Sequence, residues 1–76
     1  MKIKVPMDMI NRELDAMGVH DSRTVDLIVE TDHITAIYPL ITEGAVSNKE
    51  CQIYMVSGEY FIVNVDVSYF DNIFGI

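Results

Sequence analysis

The chain has a single cysteine, Cys51, so an intrachain disulfide is excluded. Tryptophan is absent, and five Lys and Arg face twelve Asp and Glu for a net charge of −7. So few cations disfavour direct nucleic-acid binding, because neutralising phosphates needs a basic surface. No apolar run approaches transmembrane length, and the opening Met-Lys-Ile-Lys-Val-Pro is too short and interrupted for a signal peptide. A reducing cytoplasm is therefore the expected location, with no membrane partner. The chain also lacks a Gly-rich loop leading into a helix and a serine in a nucleophile elbow. His20-Asp21 and Asp32-His33 are isolated dipeptides without the further ligands a metal site requires. Carboxylates are abundant, but abundance does not make an acid/base pair. No enzyme activity, cofactor or metal is expected.

What is present is a half-apolar chain of 76 residues, long enough for one α+β domain over residues 1–76 and no more. A domain this small buries a modest fraction of its surface and is marginal alone. Its charge is unevenly spread. Residues 1–23 balance, whereas residues 24–76 carry eight carboxylates against Lys49 alone. That asymmetry favours a basic protein partner as far as charge speaks, with solubility as the plainer explanation.

The most informative stretch is Glu50–Asp66, where two β-rich runs flank Ser57-Gly58. A two-residue turn there predicts a tight hairpin with Val56 opposite Glu59, Met55 opposite Tyr60 and Tyr54 opposite Phe61. In that register Met55, Tyr60, Ile53, Ile62, Cys51 and Asn64 share one face, while Tyr54, Phe61, Val56, Val63 and Val65 share the other. Neither face is polar, so both need cover, from the chain's own elements or from a second protein. Cys51 falls at a core strand position and reads as a small buried hydrophobe.

Upstream, Lys2–Val5 predicts a short strand ended by Pro6. Met7, Ile10, Leu14 and Met17 then recur at helical spacing, and Gly18 suits the left-handed residue that ends a helix, with Val19 folding back. Thr24–Glu30 alternates as a strand, although Ser22 could cap a helix there. Ile34–Ile41 is another strand with Pro39 at an edge or bend. Thr42–Lys49 reads as the longest loop, and Asp66 or Ser68 can cap a short apolar helix at the end. Together these predict an α+β fold, a small twisted antiparallel sheet or partly open barrel of about four or five strands, with an N-terminal helix and a short C-terminal helix.

Ile34-Thr-Ala-Ile-Tyr-Pro, then Cys51–Val63 with its Ser-Gly turn, then Val67-Ser-Tyr-Phe-Asp-Asn-Ile form a pattern over residues 34–76. It resembles the small FlbD-like flagellar proteins and related bacterial and phage reading frames. The resemblance implies a small β-module without catalytic residues; the chain departs from it by its own N-terminal strand and helix.

Two functions follow as expectations. One is a non-catalytic protein-binding module that acts by macromolecular association, self-associating as a homodimer or docking on another protein through an uncovered hairpin face, with Tyr54 and Phe61 as contacts. The other is an acidic inhibitor, a phage-type or anti-CRISPR-like nucleic-acid mimic whose carboxylates block a basic nucleic-acid-binding protein. Glu43, Glu50 and Glu59 are the candidate contacts for charge-steered binding, Glu43 in the loop and Glu59 beside the hairpin tip.

Overall fold

Ile3, Val5 and Met7 stand directly opposite Val29, Leu27 and Val25 in the computed structural model, which describes residues 1–10 and 12–76. These three apolar pairs belong to β1 (Lys2–Ile10) and β2 (Ser22–Glu30), an antiparallel pair without a register shift. The helix expected to begin near Met7 is therefore corrected: the first element is a strand that runs on to Ile10. A helix from Met7 would have broken the Met7–Val25 pair. It would also have lost Asp8, whose carboxylate accepts hydrogen bonds from the Thr24 hydroxyl and the Asn64 amide at 2.9 Å each. Tertiary pairing overrides the helical spacing.

Only α1 (Arg12–Ala16) remains of that helix. Residue 11 of the expected helix lies outside the described residues. The predicted helix end does form: Gly18 has φ 81°, its amide donates to Asp15, and the Val19 amide folds back to Leu14 at 2.8 Å. The local C-terminal signal was sound and the helix length was not.

Pro6 sits inside a strand without damage, for a geometric reason. Its carbonyl accepts the Asn64 amide at 2.7 Å. In an antiparallel strand the N–H and C=O of one residue point to the same side, so the missing proline N–H would also have faced away from β2. The ladder loses nothing.

A 3-10 turn over Thr31–His33 leads into a second sheet of β3 (Ile34–Thr42), β4 (Ala45–Met55) and β5 (Tyr60–Val63), in that order. The long loop expected over Thr42–Lys49 is mostly strand. Thr42 pairs with Ala45 across Glu43 (φ 54°) and Gly44 (φ 78°). Two consecutive positive φ values make this a two-residue hairpin turn of the I′ type. The loop-like Ser47-Asn48-Lys49 is a bulge: between Pro39↔Cys51 and Ile41↔Val46, only Leu40 faces four residues of β4. The Ser47 hydroxyl accepts the Lys49 and Glu50 amides at 3.1 Å each. Glu43 is costly in its left-handed position, where Asn is tolerated. Glu43→Asn is expected to stabilise the fold by about 0.5–1 kcal/mol, checked by chemical denaturation.

The β4–β5 register also differs from expectation, by one residue. Tyr54 pairs with Tyr60, Ile53 with Phe61, Gln52 with Ile62 and Cys51 with Val63. The loop holds three residues, not two. The Gly58 amide donates to Met55 at 2.9 Å, the Met55 amide to Glu59 at 2.8 Å, and Gly58 takes φ 93°. A tight turn followed by a left-handed glycine is the standard three-residue solution. Because the strand period is two, the slip moves Tyr54 and Phe61 to opposite faces.

Val5, Val29, Cys51, Ile53, Val63 and Phe70 form the buried core between the two sheets. Phe70 comes from a 3-10 turn over Val67–Phe70 that runs into α2 (Asp71–Phe74). Asp66 does not cap this turn with its side chain; its carboxylate accepts the Ser68 hydroxyl instead. The sheets touch at β1 and β5 through the Asn64–Pro6 bond but do not close into a barrel.

The result is extended, 44 × 29 × 20 Å with a radius of gyration of 13.7 Å. A compact chain of this length would have about 11 Å. Its accessible surface of 5584 Å² likewise exceeds the roughly 4700 Å² typical of its mass by about 900 Å².

Candidate protein-binding face

The corrected register sorts the β3–β4–β5 sheet into two unlike faces. Ile37, Ile53 and Phe61 make one cross-strand row, and Pro39, Cys51 and Val63 the next, all turned toward the core. The opposite face carries the rows Ala36–Tyr54–Tyr60 and Tyr38–Gln52–Ile62. No residue in those two rows is charged. Both faces were expected to need cover; the inner one has it, from β1, β2 and the C-terminal turn, and the outer one does not.

Three tyrosines step across the outer face. The Tyr38 and Tyr54 rings lie 5.7 Å apart, as do those of Tyr54 and Tyr60, with interplanar angles of 33° and 46°. Such tilted neighbours rigidify one another and add modestly to burial. A hydrogen bond with the Tyr54 side chain holds the Tyr38 phenol above its ordinary pKa, helped by partial burial and by the neighbouring Tyr54 and Tyr60. The row remains open to solvent: Tyr38 is 40% exposed, Ile62 41% and Tyr60 58%.

The expected contact residues do not converge. Glu43 is exposed at the β3–β4 turn and Glu59 at the β4–β5 turn. They stand at opposite ends of β4, whose 11 residues span roughly 35 Å. Glu50 is half-buried within the β4 bulge. Tyr54 lies on the outer face and Phe61 on the inner one, packed against the core. The structure thus keeps Tyr54 as an outer-face residue, separates Phe61 from it, and spreads the three glutamates. Sequence reasoning missed Tyr38 and Tyr60. Their signal was the alternation Tyr38, Tyr54, Tyr60 across three strands, readable only once the three-residue turn is recognised.

Other reactive groups point elsewhere. Among the described residues no group of three His, Cys, Asp or Glu is placed to hold a metal ion. Cys51 is fully buried, and burial, with the charge of Asp66 second, pushes its thiol up to about 11. The thiolate is the reactive species, so Cys51 is inert at neutral pH. An unfolded thiol ionises near 9 while the folded one holds its proton, so the contribution is complete below pH 9 and is lost as pH rises toward 11. Stability is expected to fall across that window in the native chain and less in Cys51→Ala, measured by denaturation at each pH.

Among the described residues no helix is long and apolar enough to cross a membrane. Compared with protein-family models, with characterised proteins and with solved structures, the chain matches none.

Proposed function

We propose that the chain is a small acidic, non-catalytic protein-binding module that acts in the cytoplasm by macromolecular association. One observation carries the reading: an uncharged, tyrosine-bearing sheet face lies open on a chain of net charge −7. Charged residues are depleted and tyrosines enriched at the centres of protein interfaces, since a rigid ring buries much area for little lost entropy. The exposed surface in excess of a compact chain, about 900 Å², is what one partner gives up in a standard interface. Glu43 and Glu59 flank the face at its two ends and serve as a rim that steers a basic partner.

The nucleic-acid-mimic alternative needs its carboxylates on one surface. Glu43 and Glu59 at opposite ends of β4 favour the tyrosine face instead. Affinity capture from the native host, run in parallel with Tyr60→Ala and with the triple reversal Glu43→Lys, Glu50→Lys and Glu59→Lys, separates the two. A partner lost with Tyr60→Ala and retained, though slower to bind, by the reversed chain supports the proposal. A partner indifferent to Tyr60→Ala and lost on charge reversal or at raised salt supports the mimic, because exposed charges are screened beyond about 8 Å at physiological ionic strength.

A further inference from the structure

Both sheets end in open edges, β2 in one and β3 in the other. An open edge displays unpaired N–H and C=O groups and invites another strand unless something blunts it. The β2 edge carries Arg23, Asp26 and Glu30. The β3 edge carries no charge at all over Ile34–Thr42, part of the longest uncharged run in the sequence. The Ile34 amide closes the preceding 3-10 turn on the Thr31 carbonyl; among the described residues, no backbone group of residues 35–42 bonds to any element other than the ladder partner β4. Beside this edge runs a groove of about 310 Å³ lined by Ile34, Thr35, Ala36, Ile37, Phe74 and Ile76. Ile76 is 91% exposed and Phe74 39%. An edge strand next to an apolar groove is the arrangement that takes up an extended segment, the backbone giving affinity and the groove receiving alternate side chains.

We propose that the occupant is the β3 strand of a second copy, paired antiparallel about a twofold axis at Ile37. Two three-stranded sheets then become one of six strands. Two observations select a second copy. Two chains of charge −7 repel, and the regular stretch of β3 from Ala36 to Pro39 lets them pair over uncharged residues, with Asp32 and Glu43 beyond its two ends. The groove requires an extended, uncharged, apolar strand, which β3 itself supplies, so the contact satisfies both copies at once as a twofold interface must.

The bulges fix the extent. Register shifts at Thr35 and beyond Pro39 bound a regular stretch from Ala36 to Pro39. Centred on Ile37, Ala36 of one copy faces Tyr38 of its partner, and small meets large. The outer rows then continue across the joint, while Phe74 and Ile76 of each copy flank it. Pro39 and the bulge behind it stop the ladder from extending. The charged β2 edges stay outside, so the assembly closes as a dimer.

Sedimentation equilibrium of the whole chain tests this, alone and as Ala36→Lys, Ile76→Asp and Tyr60→Ala. The native chain is expected to dimerise. Ala36→Lys, on an exposed site of the edge, and Ile76→Asp, too exposed to matter to the monomer fold, should each weaken the dimer by about tenfold or more, the factor corresponding to 1.4 kcal/mol. Tyr60→Ala, on β5 away from the axis, should leave it intact, so loss of partner binding and loss of the dimer remain separate results. A native chain that is monomeric throughout the micromolar range overturns the inference. So does a dimer that survives both edge variants, or one that is lost only with Tyr60→Ala. If Ala36→Lys fails to fold by circular dichroism, Ile76→Asp decides the matter alone.

Discussion

Phe70→Ala should remove most of the stability of this chain. The side chain is only 2% exposed and is the largest fully buried group. It meets Tyr69 edge-on at 5.2 Å and Phe74 at 6.3 Å. Its position matters more than its size. The two sheets share the Asn64–Pro6 hydrogen bond and little further ladder, so they are held together by side chains. Phe70 shares one buried cluster with Val5 and Val29 of one sheet and Cys51, Ile53 and Val63 of the other. Truncating a buried phenylalanine costs about 3–5 kcal/mol. A domain of this length has about 4–11 kcal/mol in all. The melting temperature is expected to drop on the order of 20 °C or the transition to vanish. Phe70→Leu, which keeps most of the volume, should lose much less. A Phe70→Ala melt within a few degrees of the native one would show that the sheets hold together without this ring.

The same economy explains which features the sequence revealed. Strand alternation over residues 24–30 and 34–41, the buried Cys51 and the Gly18 helix end all depend on neighbours close in sequence, and all were legible. The helical spacing of Met7, Ile10, Leu14 and Met17 was real but lost to partners far along the chain. Val25 takes Met7, and Thr24 and Asn64 take Asp8. Ser47-Asn48-Lys49 has loop composition because it is a bulge, a local escape from pairing within a continuous strand. The candidate site suffered most from a small error. Reading Ser57-Gly58 as a two-residue turn, when Val56 belongs to the loop as well, shifted every pair by one and mixed core residues with surface ones. The two apolar faces inferred from that register were one buried face and one tyrosine face, and each inferred face mixed members of both.

That separation yields the sharpest comparison, between Phe61 and Tyr60. They are adjacent in sequence and both aromatic, yet β5 sends Phe61 to the core and leaves Tyr60 58% exposed on the outer face. Phe61→Ala should destabilise the fold by about 2–4 kcal/mol, somewhat below the full cost because the ring is only half-buried. Tyr60→Ala should cost under about 1 kcal/mol, mainly the ring contact with Tyr54. Partner affinity should show the reverse order. Removing Tyr60 takes the most exposed of the three tyrosine anchors from the open face and is expected to weaken binding by at least about 2 kcal/mol, some thirtyfold. Phe61→Ala should weaken binding only in proportion to the fraction unfolded, and lowering the temperature should restore it. Denaturation and binding isotherms on the same two proteins provide the check. If Tyr60→Ala proves the more destabilising and Phe61→Ala the more damaging to binding in its folded state, the register that exposes the tyrosines is wrong, and the binding face assigned to them falls with it.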